Sequence, residues 1–214
     1  MTSSLECLDL LRAVREKYAS VASYSDTGEV VTRFTDTGMV HRITFSTLYQ
    51  RPSFFRFAFF RPHAHPPLGQ HLTEHAAGHD GAVGYYVVKR PNNAVTLKSP
   101  ISLNEAIARA AGISSGSAHT IGRLLLPEVQ GESMLDLVDA RRGEDVAIDG
   151  TWCYSIVART STGQRQRELC IEKDSYLLRK CITRSGGRES IELRENISID
   201  SPQPVSLFEA CARV

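Results

Sequence analysis

The side chains best suited to chemistry crowd into one stretch, HAHPPLGQHLTEHAAGH, residues 63–79, which holds five of the chain's seven histidines. His71, His75 and His79 fall four apart, with Glu74 and Asp80 beside them. On a helix that spacing aligns imidazoles on one face, the pattern of a divalent-metal site. Two features oppose it. Pro66, Pro67, Gly69, Ala76, Ala77, Gly78 and Gly81 make a poor helix, and three successive turns of histidine span ~12 Å, too far for one ion to touch all three. The stretch reads as an exposed, mobile hairpin loop (His63 to His79), and neither a metal ligand nor a cofactor is assigned. The five cysteines, Cys7, Cys153, Cys170, Cys181 and Cys211, are odd in number and lack metal-like spacing. Cys153, Cys170 and Cys181 lie in strand-like runs, where cysteine acts as a small buried hydrophobe. No catalytic constellation emerges.

Charge narrows the function classes. Twenty-five basic residues face 24 acidic ones, a net charge of +1, so no overall field draws the chain to nucleic acid. Residues 128–149 hold seven acids and two bases, and residues 159–194 nine bases and five acids, read as solvated strand faces. No apolar run reaches the ~18 residues of a membrane helix, which argues against integral membrane insertion. The N-terminus lacks a basic-then-apolar leader, so the chain as it stands reads as cytoplasmic, or as periplasmic or extracellular if a leader has been removed.

The elements that would position these groups follow from periodicity. Ser3 and Glu6 form a capping box, and Leu5, Leu8, Leu11, Val14, Tyr18 and Val21 make one stripe of an amphipathic helix. Three strands follow, 28–35, 39–49 and 53–61. In the third, Phe55, Phe57 and Phe59 share one face; Phe54, Arg56, Ala58 and Phe60 share the other. One face is expected to pack on the first helix and the other to line a cavity. A hairpin spans 83–89 and 94–98. After the central segment, Met134, Leu135, Leu137 and Val138 suggest another helical turn, and strands resume at 144–148, 151–159, 164–173, 175–183 and 188–199. In the last, Ile191, Leu193, Ile197 and Ile199 share a face with Glu195.

The central segment, SLNEAIARAAGISSGSAHTIGRLLLP at 102–127, is read as a lid. Ser102 and Glu105 form a second capping box, Gly112 ends a first short helix, and Ser117 caps a second that Pro127 stops. Its dense alanine and glycine suit either a tightly packed layer or a displaceable flap. His119 falls within it. The predicted architecture is a single α+β domain over 1–214, an antiparallel meander of about ten strands with an N-terminal helix and a helical lid (102–138) inserted mid-chain.

That order, with the phrases LLRAVREKYASVASYSDTGEVVTRF, FSTLYQRPSFFRF, GISSGSAHTIGRLLLP, DGTWCYSI and RELCIEKDSYLLRK, resembles the lipoprotein-carrier (LolA/LolB-like) superfamily over nearly the whole chain. The resemblance implies that the strands form a curved antiparallel half-barrel closed by the helical lid, with a hollow between them that receives acyl chains. It transfers no contact residue, since the group shares shape more than side chains. The leading expectation is a binding or carrier protein for a hydrophobic ligand, with Phe55, Phe57, Phe59, Leu103, Ile107, Ile121, Leu124 and Leu125 lining the site, or Phe54 and Phe60 in place of the first three if the strand parity is reversed. The alternatives are an enzyme acting on a hydrophobic substrate there, metal-assisted through the histidine stretch or using His119, and a ligand-free interaction domain.

Overall fold

The computed structural model of the chain describes residues 4–62 and 72–210, and side chains from residue 6 onward. Helix α1 (Ser4–Ser20) leads into β1 (Ser23–Phe34), β2 (Val40–Gln50), β3 (Phe54–Pro62), β4 (Leu72–Asp80), β5 (Gly84–Lys89) and β6 (Val95–Ile101). Helices α2 (Leu103–Ala111) and α3 (Ser117–Leu125) intervene before β7 (Leu137–Arg142), β8 (Val146–Ile148), β9 (Thr151–Thr160), β10 (Gln166–Glu172), β11 (Leu178–Ser185) and β12 (Arg188–Ile199).

All twelve strands form one antiparallel sheet in the order β6-β5-β4-β3-β2-β1-β12-β11-β10-β9-β7, with β8 on β9. It curves as the expected half-barrel. Each half is a meander of adjacent hairpins, and β1 pairing with β12 joins them, Val31 opposite Ile191. The first strand therefore lies mid-sheet, flanked by the last.

The two strands beyond the ten expected are β4 and β7. Leu72–Asp80 is a strand, not a loop. Its Ala76, Ala77 and Gly78 are poor strand formers, yet at Gly78 smallness is what the packing requires. A Cβ on Gly78 would stand 2.4 Å from the Tyr85 ring and 2.7 Å from the Phe55 carbonyl oxygen. Leu137–Arg142 pairs with β9 rather than coiling, because a short apolar run is ambiguous until a sheet edge claims its backbone.

The helices and the lid lie on the concave side, in one core with Phe45, Phe55, Phe57 and Phe59. The expectation that α1 would cover the opposite face of β3 from the lid is thus corrected. That convex face is covered by the C-terminal 3₁₀ turn Val205–Phe208. Phe208 sits 5.4 Å from Phe54, its carbonyl accepts the Tyr85 hydroxyl at 2.7 Å, and the Glu209 carbonyl accepts Arg56 at 3.1 Å. In α1 the buried stripe runs through Cys7, Leu10, Leu11, Val14 and Tyr18, while Leu8 is 48% exposed against expectation. Ser3, the capping-box residue, lies outside the described residues.

Strand β12 reverses the expected parity. Ser190, Glu192 and Arg194 point into the concave side and are buried. A register shift between Ser25 and Thr27, with Asn196 at φ 51, then brings Ile197 and Ile199 back against the core and leaves Glu195 exposed. An extra residue in one strand flips every side chain beyond it.

Candidate functional site

The lid is a helical hairpin. Ser102 accepts from the Glu105 amide at 3.1 Å, as its capping box requires. At the junction the expected caps are displaced. Gly112 is helical (φ −61), and the left-handed turn falls on Ser115 (φ 57) and Gly116 (φ 96). Gly116, not Ser117, precedes α3, and the Ser114 hydroxyl takes the Ala118 amide at 3.2 Å. Ala106, Ile107, Ala110, Ala118, Ile121 and Leu125 face the sheet. Gly122 fits against Ile107, whose Cδ1 would lie 2.9 Å from an added Cβ. Small residues here let the two helices meet closely.

All eight expected lining residues join this one core. Phe55, Phe57 and Phe59 are 0% exposed, Ile107, Ile121, Leu124 and Leu125 are buried, and Leu103 is partly buried against them. Phe45 stacks on Phe57 at 5.3 Å.

Beside this core lies a cavity of about 380 Å³, between the α2–α3 junction and strands β1, β10, β11 and β12. Val30, Met134 and Cys181 form its apolar part and belong to the core itself. Arg165, Arg167, Arg188, Glu132, Glu192, His119, Thr183, Ser185 and Ser190 supply its polar part. A second recess of about 270 Å³ separates α1 from the chain after α3, between Arg15, Arg123 and Asp136. Sequence reasoning missed the polar cavity because its residues come from strands distant in sequence that only the sheet pairing brings side by side.

Under the cavity floor a buried ionic cluster fastens lid to sheet. Arg194 bridges the carboxylates of Asp26 and Glu192. It also reaches the Ser117 carbonyl at 3.5 Å and lies 4.8 Å over the Phe45 ring. Tyr24 donates to Asp26 at 2.6 Å, and Glu192 is hydrogen-bonded to Thr120 of α3. Burial alone would lower the Arg194 pKa, but Glu192 and Asp26 hold it well above its usual range. Burial raises the Glu192 carboxyl, with Arg194 pulling the other way. Thr32 completes the fastening, hydrogen-bonded at 2.9 Å to Ser115 of the lid and to Ser190.

The histidines divide. His63, His65 and His71 lie outside the described residues. His75 is buried in β4, stacked 4.8 Å from Phe59 and hydrogen-bonded at 2.8 Å to the Tyr86 hydroxyl. His79 accepts the Gly81 amide at 3.2 Å. On a strand four residues span ~13 Å, so these two do not share an ion. Among the described residues no three metal-ligating side chains converge. His119 borders the cavity with Nε2 2.8 Å from the Gln130 carbonyl. Burial raises the thiols of Cys170 and Cys181, to about 11 and about 12, which keeps them protonated and poorly nucleophilic.

His75 gives a pH prediction. Burial first, then Arg61 and Arg90, lowers its pKa to about 4. The unfolded chain therefore binds this proton more readily, so the contribution is complete above about pH 6.5 and is lost as pH falls toward 4. His75→Gln should lose less stability than wild type between pH 7 and 4, by about 1–2 kcal/mol after allowing for solvent screening at the ring edge. Urea unfolding at both pH values checks this. Parallel curves would contradict it.

The fold and site define a half-barrel closed by a helical lid, with an apolar core and a polar cavity at the lid's turn. No family model and no curated protein matches the sequence. Among solved structures, LprF from Mycobacterium bovis aligns at 10% identity over 94% of this chain and 96% of its own, with a TM-score of 0.58. Lipoprotein LppX of Mycobacterium tuberculosis aligns at 13% over 95% and 100%, with a TM-score of 0.56. A LolA superfamily protein from Nitrosomonas europaea also matches, at 9% identity over 94% and 96%, with a TM-score of 0.41. The chain shares the fold of LprF and LppX, and at these identities the likeness is one of fold alone.

Proposed function

We propose that this protein binds a hydrophobic or amphiphilic small molecule, such as an acyl chain, between the concave sheet face and the lid, and carries it rather than transforming it. The reading is supported by one continuity: Val30, Met134 and Cys181 line the cavity and belong to the same core as Phe55, Phe57 and Phe59. An apolar chain entering at the lid's turn would extend into that core by displacing α2 and α3. Each Å² of apolar ligand surface removed from water contributes ~25 cal/mol, which needs few polar contacts. The proposed lining is Phe55, Phe57, Phe59, Leu103, Ile107, Ile121, Leu124 and Leu125. Likeness to a lipoprotein such as LppX favours a periplasmic or extracellular site of action, although no helix among the described residues is long and apolar enough to cross a membrane.

A ligand-free interaction domain is the second reading, favoured by the complete burial of the three phenylalanines under the lid. Lid opening separates the two. The Thr32 and Ser115 hydroxyls are 2.9 Å apart, so Thr32→Cys/Ser115→Cys places two thiols where a disulfide can form. The wild type is expected to take up one equivalent of a fluorescent fatty acid. The oxidised double variant should take up at least tenfold less, and reduction should restore uptake. A wild type that takes up no probe and copurifies with no lipid by native mass spectrometry would leave the ligand-free domain as the reading.

A further inference from the structure

We propose that the cavity at the lid's turn is an oxyanion site, with Arg165, Arg167 and Arg188 as its counter-charges, and that its occupant is the phosphate group of an anionic amphiphile. The amphiphile, though not the oxyanion site itself, rests on the reading of the lid as cover for an apolar chain.

The sheet register assembles the site. Arg167 stands opposite Thr183, and Thr183 opposite Ser190. Ser190 stands opposite Thr32, so these four form one row across four strands. The next row toward the open edge has Ser185 opposite Arg188, and Arg165 lies two residues before Arg167. Seven titratable or charged groups border the cavity: the three arginines, Glu132, Glu192, His119 and the Cys181 thiol, which burial keeps neutral. Both acids are already engaged. Glu192 is held by Arg194. Glu132 accepts the Ser161 hydroxyl at 3.0 Å and lies 3.9 Å from Arg167.

Two cations remain. Among the described residues the Arg165 guanidinium has no ion pair or hydrogen bond, and the Arg188 guanidinium has only the Phe34 ring, 5.9 Å away. Arg167, 8% exposed, adds a third guanidinium deeper in, its Nη1 on the Ser133 carbonyl at 3.2 Å. Guanidinium groups present planar pairs of donors that match phosphate oxygens, and such charge-assisted bonds are roughly twice as strong as neutral ones. Ser115, Thr183 and Ser185 supply hydroxyls. Gly116 and Thr120 also line the cavity, so the positive end of the nine-residue α3 faces it.

The polarity is graded. Arg165 and Arg188 are exposed at the mouth, whereas Val30, Met134 and Cys181 are buried core residues. An amphiphile with its phosphate at the mouth would direct its chain toward the lid core. A free phosphate offers the same oxygens without the chain, and the experiment separates these sources.

Calorimetric titrations of the full chain compare dodecyl phosphate below its micellar concentration, uncharged 1-dodecylglycerol and inorganic phosphate. They are repeated on Arg165→Gln/Arg188→Gln, whose exposed positions leave the fold intact, and on the corresponding double lysine variant. Dodecyl phosphate is expected to bind wild type about tenfold more tightly than dodecylglycerol. The glutamine variant should reduce that preference to about threefold or less without changing dodecylglycerol affinity, and the lysine variant should retain part of it. Equal affinity for the two chain ligands, or a preference that survives the glutamine variant, would overturn the oxyanion site and leave the hydrophobic-ligand reading standing. Arginine-dependent binding of inorganic phosphate with neither chain ligand bound would support the oxyanion site and overturn the amphiphile. No binding of any probe would overturn both.

Discussion

Replacing Arg194 with methionine is expected to lower the unfolding free energy by about 3–5 kcal/mol. The arginine is fully buried with Asp26 and Glu192 on either side. Methionine fills much of its volume but supplies no charge, so two carboxylates stay buried without a cation. The Arg194 donation to the Ser117 carbonyl at 3.5 Å also disappears, loosening α3. The pH dependence identifies the cause. A carboxylate stranded in low dielectric binds protons more readily folded than unfolded, so the variant should gain stability relative to wild type as pH falls from 8 to 5. Converting the cluster together, Arg194→Met with Asp26→Asn and Glu192→Gln, should recover at least half of the loss, because the uncompensated charge and not the missing pair carries most of the penalty. Urea midpoints at the two pH values test both points. A loss below about 1 kcal/mol, or one independent of pH, would mean that the cluster is not the fastening described.

Gly28→Ala is expected to cost about 3 kcal/mol, unusually much for one methyl group in a strand. A Cβ at residue 28 would stand 2.1 Å from the Leu193 carbonyl oxygen and 2.5 Å from Cζ of Phe45. The ring can rotate, but the carbonyl belongs to β12, whose register with β1 is held from Gly28 opposite Arg194 onward. Phe45 is also the ring under the Arg194 guanidinium, so the added methyl disturbs the cluster as well as the strand pair. The double variant Gly28→Ala/Phe45→Leu separates the two clashes. Relief of the ring contact alone should restore less than half of the loss, a coupling that a double-mutant cycle reads directly. Full restoration would place the constraint in the ring rather than in the backbone.

These residues show where sequence reading succeeds and where it stops. The lid was legible: Ser102 and Glu105 announce a helix start, and an apolar spacing of three and four predicts which side of α2 and α3 faces the sheet. The phenylalanine face of β3 was legible too, since alternation survives when both neighbours are regular strands. His75 was not. Its flanking alanines and glycine argue against a strand, and only the Tyr85 ring and the Phe55 carbonyl oxygen explain why a glycine belongs at residue 78. The cavity was equally hidden. Arg165, Arg167 and Arg188 read as solvated charges in a basic tract, and nothing local reveals that β10 and β12, paired through β11, place them on one side.

From the sequence alone came ten of the strands, the antiparallel meanders, the lid and its apolar face, because local propensity, capping and periodicity act over a few residues and leave a direct trace; the half-barrel was implied by the family resemblance. The tertiary structure decided what surrounds them: that α1 shares the concave side, that the C-terminal turn covers the convex one, and that Arg194 joins lid to sheet. Those outcomes depend on pairing between residues 168 positions apart, Asp26 and Arg194 among them, and on one register shift in β12. A shift of one residue exchanges the two faces of a strand, so charges expected at the surface become the floor of a cavity.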